Sequence, residues 1–241
     1  MNLIALDSSG QTATVALVSG GKLLGEYTIN HKKTHSQTLM PMLDALCTAA
    51  EFDPAAVDAI AVSAGPGSFT GLRIGAAAAK GMAQALDKPV IAVSTLKALA
   101  WQFYGSEELV CPMMDARRAQ VYSGIYRFQR EAEGARLTVV AEGAALPAEE
   151  QLARLNAMQE PVIFLGDGVE VHRTLIETRM QRPFILAPLH RRYQSAACVA
   201  ACAAAMLAAG EEPMPAALFA PEYLRPSQAE RERAERGETA G

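Results

Sequence analysis

The sequence predicts an α/β protein made of two similar halves, each a mixed β-sheet with helices packed on its faces. Three observations carry this. Three short apolar strands joined by tight turns are followed by alternating helix and strand, the order of a mixed sheet. A comparable order recurs beyond about residue 105 without any visible sequence repeat. A glycine-rich turn, Ser63-Ala-Gly-Pro-Gly-Ser-Phe-Thr-Gly-Leu-Arg-Ile-Gly75, stands between an apolar strand and an Ala-rich helical stretch. At 241 residues the chain suffices for one large domain or two small ones.

In the first half, Leu3–Leu6, Thr12–Val18 and Lys22–Asn30 read as strands, joined by Asp7-Ser-Ser-Gly10 and by Ser19-Gly-Gly21, whose glycine pair suits a tight hairpin. A helix over residues 36–50 is predicted from apolar positions at Leu39, Met42, Leu43, Leu46 and Cys47, with Ser36 as its N-cap and Pro41 bending its early turns. Strand Ala59–Val62, the glycine turn, a helix over 70–86 and strand Val90–Val93 follow. In the second half, Val110–Met114, Ala119–Arg127, Arg136–Glu142 and Val162–Leu165 read as strands and Pro147–Leu155 as a helix. An Ala-rich core helix begins after Ser195. The Gly105 turn places the boundary between halves at 1–104 and 105–220, leaving a closing segment, 221–241, with a solvated mixed-charge tail or, alternatively, a partner-binding helix.

Half the residues are hydrophobic and a fifth charged, the composition of a globular protein. A net charge of -4 argues against a self-sufficient nucleic-acid binder, which needs a basic surface. The N-terminus meets Asp7 after a few apolar residues and has no basic leader, so no signal peptide is read and the cytoplasm is expected. The Ala196–Ala209 run is too short to span a bilayer. Cys47, Cys111, Cys198 and Cys202 form no CxxC pair and read as buried thiols.

The glycine turn begins a helix, where free backbone N–H groups favour anions. Yet no Gly-Lys-[Ser/Thr] follows, the glycines miss the G-x-G-x-x-G spacing, and Ser68 lacks the flanks of a nucleophile elbow. What remains is a stripe of small residues, Gly71, Gly75, Ala79 and Ala83, that admits close approach of a second element, either within its own domain or from another chain. His31 and His35 have metal-ligand spacing but straddle a strand-to-helix junction, without a glutamate of the H-E-x-x-H kind between them, so ordinary loop histidines are the better reading. Asp7-Ser-Ser-Gly10 resembles the first phosphate loop of actin-like ATPases and sugar kinases; a plain hairpin turn is the other reading. Arg117 and Arg118 form either an internal bridge to Asp115 or an exposed pair for an anion or a partner's carboxylates.

Together, Leu6-Asp-Ser-Ser9, His35-Ser-Gln-Thr-Leu-Met-Pro41, the glycine turn, Met114-Asp-Ala-Arg-Arg118 with Val121-Tyr122, and Pro221-Glu-Tyr-Leu-Arg225 resemble the TsaB (YeaZ) family over nearly the whole chain. The resemblance implies an actin-like ATPase fold of two ribonuclease H-like subdomains. It also implies a subunit of the bacterial machinery for threonylcarbamoyladenosine in tRNA. In the family's catalytic relative, TsaD, the strand after the glycine-turn helix runs into an N-H-x-x-x-H motif that binds the catalytic metal; here Thr95 and Leu99 stand at those positions. The resemblance therefore implies no catalytic residue, no metal and no tightly bound cofactor, with any ATP or ADP at the partner interface. Asp7, Ser8 and Ser9 become a vestigial phosphate loop. The implied partners are TsaD and the ATPase subunit TsaE, with tRNA reached only through the complex, no membrane, and a homodimer when the chain is alone. The N-terminal helices are the implied interface, with Leu39, Leu43, Leu46, Gly71, Gly75, Ala79 and Met82 as its expected residues. An autonomous ATPase or kinase using Asp7 and the Gly65–Gly71 turn is the alternative.

Overall fold

In a computed structural model, residues 1–31 and 34–225 are described; the predicted charged tail lies outside them. The first half runs β1 (Asn2–Asp7), β2 (Thr12–Ser19), β3 (Lys22–Asn30), α1 (His35–Ala49), β4 (Ala59–Gly65), α2 (Phe69–Leu86), β5 (Val90–Ser94) and α3 (Thr95–Ala100). The second repeats this order as β6 (Leu109–Asp115), β7 (Gln120–Arg130), β8 (Ala135–Pro147), α4 (Ala148–Met158), β9 (Val162–Leu165), α5 (Asp167–Val171), α6 (Arg173–Arg179), β10 (Phe184–Leu186) and α7 (Ala196–Ala208). The sheets have orders β3-β2-β1-β4-β5 and β8-β7-β6-β9-β10, and in each the first three strands are antiparallel and the last two join in parallel. This is the duplicated ribonuclease H-like arrangement of the actin-like fold.

Each sheet is buried on both faces, which is why its central strands are apolar throughout instead of alternating. On the outer face of the first sheet, Ile4, Leu6, Val15 and Val62 pack under α1 and α2; on the inner face, Leu3, Ala5, Ala16 and Ala61 pack against Ala196, Ala200 and Ala203 of α7. The second sheet packs Cys111, Val121 and Phe164 against α4, α5 and α6, and turns Val110, Tyr126 and Ile163 toward Leu96, Leu99 and Ala100 of α3. Each half therefore lends the other an inner helix.

This exchange corrects the boundary read from element order. Segment 195–219 belongs by contact to the first half: α7 lies on the first sheet, Met214 pairs with Val90, and Phe219 is buried beneath α2. The tie is polar as well as apolar. Glu26 Oε1 accepts hydrogen bonds from Ser195 Oγ (2.8 Å) and Ala197 N (3.0 Å), and Ser195 Oγ accepts from Cys198 N (3.2 Å), so a carboxylate on β3 caps α7.

Local differences have local causes. Thr34, not Ser36, precedes α1, and its side chain makes no capping bond. Ser68 caps α2 by accepting from Gly71 N at 3.3 Å. The strand before the glycine turn continues to Gly65, because Ser63 and Gly65 still pair with β5, which shortens the turn to Pro66–Ser68. Helix α3 and the α5–α6–β10 stretch are not expected from the sequence, because each element is too short to show periodicity. Cys47, Cys111 and Cys202 are buried and Cys198 is half-buried; burial pushes the thiols of Cys111 and Cys198 up to about 11 and that of Cys202 to about 12, so none is a reactive thiolate near neutrality.

Candidate functional site: the cleft between the halves and the outer face of the first

The C-terminal ends of β1, β4 and β6 point toward one cleft of about 490 Å³ between the halves, the usual location of a site in an open α/β sheet. Ser9, Gly10 and Gln11 of the β1–β2 turn, Gly67–Thr70 at the start of α2, and Asp115–Arg117 of the β6–β7 turn line it, with Asp167 and residues 222–225 completing the wall.

Asp7 is withdrawn from that cleft. Its side chain is 1 % exposed; Oδ1 accepts from Ser9 N (2.8 Å) and Ser9 Oγ (2.6 Å), and Oδ2 accepts from Ser63 Oγ at 2.5 Å. Burial raises its carboxyl above the ordinary value, and the three donors offset that only in part. Ser8 Oγ donates to the Gly71 carbonyl at 2.8 Å. A Cβ on Gly67 would collide with the Ser9 carbonyl, one on Gly71 with the Ser8 carbonyl, and one on Gly75 would stand 2.5 Å from Ser8 Oγ. The glycines of the turn thus let α2 lie directly on the Asp7–Gly10 turn.

This decides the fate of the small-residue stripe and corrects the expected interface. Gly71, Gly75 and Ala79 are buried against the chain's own turn and sheet, Leu39, Leu43 and Leu46 are at most 4 % exposed in the same core, and half-buried Met82 packs on it. Helical periodicity marks the face that a helix buries first, and here its own sheet takes it. The outward faces carry other residues: Met40, Asp44, Ala45 and Thr48 on α1, and Arg73, Ala77, Gly81, Gln84 and Ala85 on α2.

Asp115 and Asp167 meet at the second half's edge of the cleft, where Asp167 Oδ1 accepts from Asp115 N at 3.1 Å. Burial, and to a lesser degree the nearby charge of Asp115, raises the Asp167 carboxyl; the Asp115 N–H works the other way. Asp115 Oδ1 accepts from the backbone N–H of Arg117 at 2.8 Å, so the expected internal bridge is to the main chain. Arg117, Arg118 and Ala119 all have left-handed φ, at 62°, 54° and 58°, and the two arginines are exposed with no carboxylate partner among the described residues. The residues lining the cleft include both acidic side chains, Asp115, Asp167 and Glu222, and basic ones, Arg117 and Arg225, while both carboxylate oxygens of Asp7 accept hydrogen bonds within the chain.

Thr95 and Leu99 lie in α3, 0 % and 1 % exposed, away from the cleft wall; Leu99 packs in the core of the second half's inner face, and neither offers a metal a good ligand. His35 Nε2 lies 2.8 Å from the Gly10 carbonyl, anchoring the β1–β2 turn, while His31 is exposed. Among the described residues, no three His, Cys, Asp or Glu side chains gather as a metal site. Gln194, buried behind Gly10, was not singled out in the sequence, nor was Glu26; no local pattern could have shown partners so far along the chain.

A family model described as TsaD, tRNA N6-adenosine threonylcarbamoyltransferase, matches residues 22–233. The tRNA threonylcarbamoyladenosine biosynthesis protein TsaB of Bacillus subtilis is 37% identical over 177 residues, covering 73% of this chain and 76% of that protein. The chain belongs to the TsaB family. The crystal structure of YeaZ from Pseudomonas aeruginosa superposes with a TM-score of 0.76 at 33% identity over 92% of this chain and 99% of that one. A tRNA N6-adenosine threonylcarbamoyltransferase of Syntrophobacter fumaroxidans is 27% identical over 190 residues, which span only 55% of its length. Among the described residues, no helix is long and apolar enough to cross a membrane.

Proposed function

We propose that this chain is a non-catalytic subunit of the machinery that places a threonylcarbamoyl group on N6 of adenosine 37 in tRNAs reading codons that begin with A. It acts by dimerising with TsaD, with TsaE joining the complex. The observation that carries the reading is the pair Thr95 and Leu99: the positions that the resemblance sets against the metal-binding histidines of the catalytic relative hold a threonine and a leucine, both buried in α3. The sealed Asp7 supports the same reading against an autonomous kinase.

The docking surface in this reading is the outward face of α1 and α2, where Ala45, Ala77, Gly81 and Ala85 let a partner helix come close. A Cβ on Gly81 meets nothing within 4 Å. The same face, being self-complementary in a homodimer, serves the chain when TsaD is absent. ATP or ADP belongs at the partner interface and not to the chain alone; tRNA is reached through the complex, in keeping with the net charge of -4.

The test mixes the purified chain with TsaD, resolves the complex by size exclusion, and assays tRNA modification with and without the chain and TsaE. The chain alone is expected to be inactive, and Gly81→Arg to abolish the complex while keeping the parent's circular dichroism and melting point. A folded Gly81→Arg variant that still binds TsaD removes the docking face. Threonylcarbamoyl transfer by the isolated chain removes the non-catalytic assignment.

A further inference from the structure

Residues 221–225 cross the cleft from one half to the other. On the first half, Glu222 N donates to the Ala64 carbonyl at 2.7 Å, and the Glu222 carbonyl lies against Gly65, where a side chain would displace it. Gly65 has φ +133°, so glycine is required there on two counts. Tyr223 packs its ring 4.7 Å from that of Phe69, at the first turn of α2, and accepts from Arg73 Nε at 3.4 Å; the Arg73 guanidinium in turn lies 4.0 Å over the Phe69 ring. On the second half, Leu224 reaches toward Gly143 of β8, with its Cδ1 3.9 Å from where a Cβ would stand. Arg225 Nη1 donates to the Ala116 carbonyl at 3.2 Å. The Glu222 backbone and the side chains of Tyr223, Leu224 and Arg225 thus hold the end of β4 and the start of α2 on one side and β8 and the β6–β7 turn on the other.

We propose that residues 221–225 are a clasp that sets how far the cleft opens, so that the halves are held together by the chain's own C-terminal segment instead of by a ligand bridging their two turns. The exchanged inner helices, α3 and α7, join the halves at the base of the cleft, which leaves opening about those helices as the available motion. The clasp lies at the cleft wall, where small contacts act on that motion with most leverage. Because it is covalently continuous with the first half through Phe219, its contact with the second half is intramolecular and favoured by a high effective concentration. Its two ends use different chemistry, aromatic stacking at Tyr223 and a backbone hydrogen bond from Arg225, so each can be released separately.

Hydrogen–deuterium exchange on the full chain tests this through cross-talk, with Tyr223→Ala and Arg225→Ala made singly. A clasp requires that either variant raise exchange, by about tenfold, both in residues 64–72 and in residues 114–121, while β1 and β9 keep the parent's protection. Exchange that rises only beside the altered residue, near 64–72 for Tyr223→Ala and near 114–121 for Arg225→Ala, reduces the segment to two independent local contacts and overturns the proposal. So does unchanged exchange in both variants. Should Tyr223→Ala fail to fold, Arg225→Ala carries the decision alone, because among the described residues the Arg225 side chain hydrogen-bonds Ala116 and none of residues 64–72.

Discussion

The two halves place an aspartate at the same point of the same topology, Asp7 at the end of β1 and Asp115 at the end of β6, and treat it in opposite ways. Asp7 is sealed by Ser9 and Ser63 and covered by the glycine-lined start of α2. Asp115 remains at the cleft, accepts one bond from the backbone of Arg117, and is followed by a turn of left-handed residues whose guanidinium groups have no carboxylate partner among the described residues. A duplicated fold therefore does not duplicate a site. Glycines sit at the contact in both halves, Gly71 and Gly75 against Ser8 and Gly166 and Gly168 against Met113; what differs is the length of the element laid over the turn, the 18-residue α2 or the 5-residue α5, which leaves the second turn open.

The comparison breaks most sharply at Gly71. Gly71→Leu drives a side chain into the Ser8 backbone and is expected to destabilise the chain by about 3 kcal/mol or more, or to prevent folding; urea titration followed by circular dichroism measures it. Gly75→Leu falls in the same class, so loss of partner binding by that variant would report lost packing and not a lost contact surface.

Asp7→Ala leaves three buried or partly buried donors without their acceptor and is expected to cost about 2 kcal/mol or more, whereas Asp115→Ala, at the open site, is expected within about 0.5 kcal/mol of the parent. Equal costs for the two would dissolve the contrast between sealed and open turns. Glu26→Ala removes the acceptor for Ser195 and Ala197 at the start of α7 and should cost about 1 kcal/mol, read as a lower urea midpoint.

The pH dependence sharpens the comparison further. Burial raises the carboxyls of Asp7 and Asp167 above 3.8 in the folded chain, so the folded state binds their protons more readily than the unfolded state does. These groups therefore weigh against folding when ionised, and the penalty fades as pH falls through the raised values, to vanish below 3.8. Asp167→Asn should accordingly compare more favourably with the parent at pH 7 than at pH 4, in paired denaturant titrations. The smallest effect has the opposite sign: Arg118→Gly relieves a left-handed residue that makes no side-chain bond among the described residues and should stabilise by about 0.5 kcal/mol, visible as a small rise in melting temperature.

Much of this molecule was legible from its chain. The strands of both sheets other than β10 and the larger helices follow from apolar runs, glycine turns and helical periodicity, because these are local consequences of side-chain spacing. The actin-like duplication followed from their order and the resemblance, and the start of the Ala-rich helix after Ser195 is where the structure puts it. That Thr95 and Leu99 stand where the catalytic relative has metal-binding histidines was implied by the resemblance and not by any local pattern in the chain.

Tertiary structure alone decided which face of a periodic helix is free. Leu39, Leu43 and Leu46 mark an apolar face, but periodicity is the same whether a helix packs on its own sheet or on another chain; only the sheet beneath α1 shows that this face is already taken. The same holds for Gly71 and Gly75, whose spacing announced a close approach without naming Ser8 as the group approaching. The exchange of α3 and α7 between halves, the bond from Glu26 to Ser195 across 169 positions, and the reach of Arg225 to Ala116 across 109 lie further still from local reading. The sequence by itself determined most of the elements and their order, because those depend on neighbours along the chain. Which turn is sealed, which face is open and what bridges the cleft depend on neighbours in space.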